Sequence, residues 1–176
     1  MFDPFFTWLE ATAFSVWVRE SPSVFAFPII LAVHTIGLGL LAGISVALDL
    51  RMLGFAARIP LSEFRRFWPL MWVGLWLNVA SGLALVAAYP TKALTNPIFY
   101  LKLGLIAVAL FILRAVRPFR TADAGAAAVP PARRTRRLAV VSLACWAGAI
   151  TAGRFLAYTY IRLMVDSEPV PRPWIP

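Results

Sequence analysis

The sequence has few of the residues on which most catalytic sites and disulfide frameworks depend. Its 176 residues contain one histidine, one cysteine and eight acidic residues. Cys145 has no intrachain partner, which excludes a disulfide framework, and there is no set of cysteines and histidines for a structural zinc site. A glycine-rich phosphate loop, an HExxH motif and a nucleophile elbow are also missing. The chain therefore carries no conventional catalytic signature, and its role as an enzyme is left open.

The sequence also contains few charged residues. Only 14% of the residues are charged, whereas 61% are hydrophobic and the mean hydropathy is +0.78. A soluble domain of this length cannot bury so much apolar surface, so we expect a lipid bilayer around the chain. The net charge of +9 would suggest nucleic acid in a soluble protein. Because the arginines here flank apolar segments, we interpret them as topology signals and predict no nucleic-acid partner.

Four apolar segments are long enough to cross a bilayer, whose hydrocarbon core of ~30 Å needs ~20 helical residues. Only helices and closed barrels pair all their backbone groups in lipid, and these segments lack the strict alternation of barrel strands. We therefore predict an all-α fold, a polytopic membrane protein with a single domain built as a four-transmembrane-helix bundle. The predicted spans are residues 23–48, 67–88, 97–113 and 138–163.

The segments outside the spans predict the topology. Residues 4–20 lack the basic region of a signal peptide and place aromatic residues near one face, which predicts a helix that lies in the membrane interface. The loop after the first span and the loop at 114–137 carry four and seven of the 17 basic residues, so their side is predicted to be cytoplasmic. A bacterial inner-membrane protein with both termini periplasmic follows, and its proline-rich tail, 166–176, is predicted to be extended.

Each span carries one ionisable or amide side chain away from its ends. At ~1.5 Å per residue, His34, Asn78 and Arg154 lie ~16, ~15 and ~14 Å from the outer ends of their spans, and Lys102 lies ~8 Å from its own. An ionisable side chain at such depth is costly and usually marks a functional site. The similar depths predict that the helices bring these groups together.

Small residues are expected to let the helices approach closely around this site. Gly39 and Gly43 form a GxxxG pattern on the first span, which is typical of close helix pairs. Asp49, at the inner end of the same span, is interpreted as a cap or as an ion pair with Arg51. The second and fourth spans each carry a stripe of small and polar residues that we expect to face the site. The stripes are Gly74, Asn78, Ser81 and Gly82 on the second span and Ala147, Thr151, Arg154 and Tyr158 on the fourth.

Three interpretations of the site stay open. The first is haem b, with His34 as the iron ligand, Arg154 and Lys102 paired with propionates, and Asn78 or Tyr158 as a hydrogen-bond partner. One histidine excludes bis-histidine ligation within a chain, so iron would have a single axial ligand, a Met, Lys or Tyr ligand, or a partner's histidine. The second is a quinone or another small redox ligand, with His34 as proton carrier. The third is a structural network, in which His34 bonds to Asn78 or to a backbone carbonyl and Arg154 reaches the interface.

The spans also carry a resemblance to known proteins. The runs HTIGLGLLAGISVALDLRMLG, PLMWVGLWLNVASG, NPIFYLKLGLIAVAL and WAGAITAGRFLAY resemble a family of small bacterial four-helix membrane proteins of unknown function, from roughly Trp8 to Tyr158. More distantly, the His-then-Gly helix that ends in Asp and Arg, and the later FYLKL helix start, are similar to copper-resistance D-type membrane proteins and HemJ-type protoporphyrinogen oxidases, which are haem-binding bundles. This likeness implies that His34 is a haem-ligand position and that Lys102 corresponds to the lysine of those groups.

Together these features predict a redox-associated membrane subunit with a buried polar site. Haem b or a quinone would take part in electron transfer with a periplasmic or membrane redox partner, and His34 would be the metal ligand in a haem site. Two other classes stay open. One is a non-catalytic anchor or assembly subunit of a larger complex, whose polar groups only set helix register. The other is a copper-handling membrane protein, although clusters of Met and His are absent from the sequence. A homo-oligomer is open as well.

Overall fold

The part of the chain that the structure describes consists of helices joined by turns and short connections. In this computed structural model that part comprises residues 3–56, 58–122 and 133–167, and it contains helices and turns but no strand. The all-α prediction is therefore confirmed for these residues. In chain order the elements are α1 (Asp3–Glu10), α2 (Ala13–Glu20), α3 (Phe27–Leu53), a 3₁₀ segment (Leu61–Phe67), α4 (Trp68–Ala88), α5 (Pro90–Leu94), α6 (Pro97–Ala122) and α7 (Arg133–Ser167).

Four helical stretches are long and apolar enough to cross a membrane, as the sequence predicts. They are Phe27–Leu53, Leu61–Ala88, Pro97–Val116 and Arg133–Leu156. Only between 17% and 33% of the residues in their most apolar windows are buried inside the chain. Most of their apolar surface therefore faces outward, an arrangement that water would not tolerate and that lipid favours.

The bounds of α3 differ from the predicted span 23–48 because local residues decide where the helix begins and ends. Residues 24–26 form a turn, and the helix begins at Phe27 with Pro28 in its first turn, where a missing N–H costs nothing. It continues to Leu53 and ends at Gly54, which adopts the left-handed conformation at φ +107°. We call the end at which α3 begins and α4 ends the outer end, and the opposite end the inner end.

The N-terminal segment 4–20, predicted as one helix, forms two. Thr12 interrupts it and, as N-cap of α2, accepts a hydrogen bond from the Ser15 N–H. Both short helices pack against α4. Ser15 Oγ donates to the Ala87 carbonyl (2.6 Å), and Arg19 Nη1 donates to the Ala88 carbonyl (2.8 Å). These donors satisfy carbonyls that the end of a helix leaves unpaired, so α2 caps the outer end of α4.

The predicted loop 114–137 is helical at both of its ends. α6 continues to Ala122, and α7 begins at Arg133. Parts of two predicted segments lie outside the described residues. They are residues 123–132 of this loop and residues 168–176 of the predicted tail. The sequence also gave no indication of α5, a single turn that begins at Pro90 and separates α4 from α6.

The long helices pack in a defined order. α3 packs against α4 on one side and against α7 on the other, and α6 packs mainly against α7. α4 and α6 make few contacts with each other, and the 3₁₀ segment bridges their inner ends by touching both. The core at the helix contacts includes Leu41, Leu48 and Met52 on α3, Met71 on α4, Ala109 and Ile112 on α6, and Ala139 and Trp146 on α7.

The close approach of helices occurs at a different glycine pair from the predicted one. A Cβ added to Gly37 would lie 2.7 Å from Asn78 N and 2.8 Å from Gly74 O, so α3 and α4 touch backbone to backbone there. Gly39 and Gly43, predicted to form this contact, have no neighbouring atom within 4 Å of an added Cβ. The buried face of α3 passes through Gly37 and positions 41, 45, 48 and 52, and two residues of offset turn a helical side chain by about 200°.

Candidate functional site

His34 lies on the face of α3 that packs against α4. It precedes Gly37 by three residues and Leu41 by seven, which places all three on one side of the helix. Its imidazole is half-buried, and Nδ1 lies 3.1 Å from Ser81 Oγ of α4. A Cβ added to Gly82 would lie 3.3 Å from His34 Cε1, so the glycine leaves room for the ring.

Ser81 determines which imidazole nitrogen carries the proton. Its hydroxyl donates to Leu77 O at 2.5 Å, which commits its hydrogen to the helix backbone. The Ser81 oxygen therefore accepts from His34, and we assign the Nδ1–H tautomer from this network. The assignment leaves the lone pair of His34 Nε2 available for a proton donor or a metal ion.

Asn78 holds the backbone of α3 at the same level. Its Nδ2 donates to the carbonyl of His34 at 2.9 Å and lies 3.5 Å from both ring nitrogens, so the amide lies against the imidazole. The Asn78 backbone is also the atom group that Gly37 approaches most closely. The contact between these helices and the orientation of His34 are therefore set at one place.

Lys102 approaches this cluster from α6. Its stem passes Gly153 of α7, where an added Cβ would lie 3.7 Å from Lys102 Cε and Nζ. The half-buried ammonium lies within electrostatic range of His34. Among the described residues it has neither a hydrogen-bond acceptor nor an ion-pair partner. We call His34, Asn78, Ser81 and Lys102 the polar cluster.

Two of the predicted site residues, Arg154 and Tyr158, lie outside the polar cluster. Both side chains are exposed. The inward face of α7 contains Ala149 and Ala152, and Arg154 follows Ala152 by two residues, which turns it to the opposite side. Thr151, Arg154 and Tyr158 share one face of α7, as the predicted stripe on the fourth span requires. That face is exposed along its length and is turned away from the site.

An apolar cavity of about 210 Å³ lies between α4 and α6 on the inner side of the polar cluster. Its wall residue Leu75 precedes Asn78 by three positions, or ~4.5 Å along α4. Arg114 is the one charged residue in the wall. The cavity is lined by Leu41, Trp68, Met71, Trp72, Leu75, Leu110, Phe111, Leu113 and Arg114.

Sequence reasoning missed the environment of Asp49. Its side chain is only 3% exposed, it is hydrogen-bonded to the Ser142 hydroxyl of α7, and its Oδ2 has no hydrogen-bond partner. Arg51, its predicted partner, donates through Nε to the Ile59 carbonyl at 2.6 Å. The available signal was the one acidic residue of α3, which lies four positions before the end of the helix.

Within the described part of the chain, no group of three or more His, Cys, Asp or Glu side chains lies together. A metal ion at the polar cluster would therefore take one protein nitrogen, from His34. A comparison of the chain with known protein families, curated proteins and solved structures found no match. The family resemblance therefore stays a prediction.

Proposed function

We propose that the chain is a redox-associated membrane subunit whose polar cluster holds the head group of a lipid-soluble quinone. The observation that carries the proposal is the Lys102 ammonium, which has no acceptor among the described residues and lies within electrostatic range of His34. An unpaired cation within an apolar span is costly, so an oxygen acceptor is expected beside it. A quinone supplies carbonyl oxygens for that purpose.

The surroundings fit the rest of such a molecule. The cavity between α4 and α6 begins ~4.5 Å from Asn78 along the helix and is apolar over almost its whole wall. Because α4 and α6 make few contacts, the gap between them gives an apolar tail a lateral position beside the cluster. A polar head site that adjoins an apolar groove is the arrangement that a lipid-soluble ligand requires.

Each residue of the polar cluster would have a different role at the quinone head group. A bound quinone supplies two-electron, two-proton chemistry, with electrons from a periplasmic or membrane redox partner. Lys102 would donate a hydrogen bond to one head-group oxygen. His34 Nε2 would accept or return a proton at an oxygen. Ser81 would hold the ring in the tautomer that makes this possible, and Asn78 would fix the helix that carries it.

Haem b is the second candidate, favoured by the lone pair that the Nδ1–H tautomer leaves on His34 Nε2. His34 would supply one axial nitrogen and Lys102 would face a propionate. Arg154 and Tyr158, the other two side chains predicted to hold a haem, are exposed on the opposite side of α7. The donor set therefore fits a quinone head better. An oxidised-minus-reduced absorption spectrum that shows a Soret band, absent in His34→Ala, would favour haem instead.

The membrane placement belongs to the same proposal. We place the four apolar helices as a bundle in a bacterial inner membrane, with the arginine-rich inner end cytoplasmic and both termini periplasmic. α1 and α2 would lie in the outer interface, where exposed aromatic residues favour the headgroup zone. Those residues are Phe5, Trp8, Phe14 and Trp17.

A binding measurement with two matched variants tests the proposal. The purified protein in lipid nanodiscs is titrated with a short-chain ubiquinone analogue and followed by quenching of tryptophan fluorescence. Lys102→Met should weaken binding by about 10- to 100-fold, the loss expected for a hydrogen bond from a charged donor of about 1.5–3 kcal/mol. Arg154→Met removes a cation from the exposed face of α7 and should leave the affinity unchanged.

The rival classes predict different results. A non-catalytic anchor would bind no quinone, and Lys102→Met would then change only stability. A copper-handling protein would bind Cu(I) through His34 without responding to quinone. Equal effects of the Lys102 and Arg154 variants on quinone affinity would contradict the proposed site.

A further inference from the structure

Asp49 and Ser142 form a second buried polar site, near the inner end of the α3 and α7 contact. Asp49 follows His34 by 15 residues, or ~22 Å along α3, so the two sites are separate. The Asp49 side chain is 3% exposed and that of Ser142 is 2% exposed. Ser142 supplies a hydrogen bond to the carboxyl group, and Asp49 Oδ2 has no partner.

The unpaired oxygen requires an explanation because buried polar groups are nearly always hydrogen-bonded. An ionised carboxylate would place its charge in the core with one hydroxyl as its partner. A buried group in that position is usually neutral, or it binds a counter-ion. The Asp49 carboxyl group is therefore expected to bind either a proton or a cation.

The charged groups around Asp49 are cationic and are directed to backbone carbonyls. Arg51 on α3 donates through Nε to Ile59 O at 2.6 Å, and Arg136 on α7 donates through Nη2 to Leu53 O at 3.2 Å. α4 contains no charged residue. The other charged side chains at the inner ends of the elements that pack against α3 are exposed; they are Glu63, Arg65 and Arg66 of the 3₁₀ segment and Arg133, Arg134 and Arg137 of α7.

These surroundings disfavour a metal cation as the occupant. A hard cation takes six or more oxygen ligands, whereas the buried side-chain oxygens described on this side of α3 and α7 are the five of Asp49, Ser45, Thr135 and Ser142. The Ser45 hydroxyl already donates to Leu41 O at 2.8 Å. The neighbouring arginines add further positive charge. A proton needs no ligand shell and removes the charge directly.

We propose that Asp49 is a proton-binding site in the core of the protein. It carries a proton at neutral pH, with Ser142 donating to the carboxyl group, and releases that proton at alkaline pH towards the arginine-rich inner end while the fold persists. The proposal does not depend on quinone binding at the polar cluster.

Infrared spectroscopy tests this directly. The protein is placed in ether-linked lipids, which lack ester carbonyls, and spectra are recorded from neutral to alkaline pH in H₂O and D₂O. At neutral pH we expect the carbonyl band of a protonated carboxylic acid. Its amplitude should correspond to one protonated carboxyl group among the eight acidic side chains of the chain. The band should disappear at alkaline pH while the amide bands still report helix.

Three variants assign the band. Asp49→Asn should abolish it. Ser142→Ala should move it to higher frequency, because the hydrogen bond to the carboxyl group is lost, and this variant keeps the test valid if the Asn variant does not fold. Glu63→Gln removes an exposed carboxylate that pairs with Arg66 at 3.6 Å and should leave the band unchanged.

Several results would overturn the proposal. They are the absence of the band at neutral pH, its persistence in Asp49→Asn, or its failure to decline before helix content is lost. A band that weakens with sodium concentration at constant pH would assign the site to a cation instead. A band that titrates in the wild type, shifts in Ser142→Ala and is lost in Asp49→Asn would establish the proton site.

Discussion

Replacing glycines of α3 by alanine tests the contact between α3 and α4, because Gly37 and the pair Gly39 and Gly43 should respond in opposite directions. Gly37→Ala adds a Cβ 2.7 Å from Asn78 N and 2.8 Å from Gly74 O. Both distances are below any normal contact, and backbone atoms cannot move aside as a flexible side chain can. The helices must separate by a large fraction of an ångström, at a cost typical of overpacking, about 1–3 kcal/mol.

The same displacement reaches the polar cluster. The hydrogen bond from Asn78 Nδ2 to His34 O, at 2.9 Å, spans the point where the helices would separate. We therefore expect Gly37→Ala to lower the free energy of unfolding by about 1–3 kcal/mol and to weaken quinone-analogue binding as well. Reversible unfolding in mixed micelles, followed by circular dichroism, measures the first quantity, and fluorescence quenching measures the second.

Gly39→Ala and Gly43→Ala are the matched controls. No atom lies within 4 Å of an added Cβ at either position, and alanine in a helix is better than glycine by up to ~1 kcal/mol. Both should be neutral or stabilising. If Gly39→Ala or Gly43→Ala destabilised the protein as much as Gly37→Ala, the exposed GxxxG face would be a helix contact, and the assignment of the close approach to Gly37 would be refuted.

Three further predictions concern single side chains. Asn78→Ala removes the interhelical bond to the His34 carbonyl and should cost about 1 kcal/mol of unfolding free energy in micelles. It should also weaken quinone-analogue binding because the helix that carries His34 is no longer held in place; unchanged affinity would contradict this role. Ser15→Ala removes the cap on the Ala87 carbonyl, so amide exchange in residues 3–20 should accelerate while α3 and α6 stay protected; unchanged exchange would contradict the cap. Burial lowers the pKa of Lys92 in α5 from its ordinary value of 10.5. The unfolded chain therefore binds more protons than the folded chain just below pH 10.5, and the free energy of unfolding should rise with pH through that window. Lys92→Gln should flatten this rise, and an identical slope in the variant would refute the prediction.

The sequence predicts the number and placement of the long helices well because apolar length is the signal that lipid imposes. It predicts their ends less well. α3 begins at Phe27 and ends at Gly54 because of a turn, a proline and a left-handed glycine, none of which a hydropathy average registers.

Helix phase is what the sequence leaves undetermined. Spacing shows that Gly39 and Gly43 share a face, and that Arg154 and Tyr158 share another, but it does not show which face meets a neighbour. In lipid, apolar side chains are acceptable on both faces, so hydrophobicity does not fix the rotation as it does in water. The inward face of α3 is instead decided by Gly37, where backbone contact is possible.

The polar cluster was therefore predicted in part. His34, Asn78 and Lys102 were expected together, and the structure brings them together, with Ser81 from the predicted stripe on α4. Asp49 was expected to bond locally, whereas its hydrogen-bond partner lies on α7. That pairing depends on how α3 and α7 cross, which no local pattern contains.

The most direct test of the central proposal is photo-crosslinking with an azido-quinone in nanodiscs, followed by peptide mapping. The account predicts label on α3 and α4 peptides around His34 and Asn78, which excess quinone prevents, which Lys102→Met strongly reduces and which Arg154→Met leaves unchanged. Label spread evenly over the lipid-facing helices, or insensitive to Lys102→Met, would contradict a quinone site at the polar cluster.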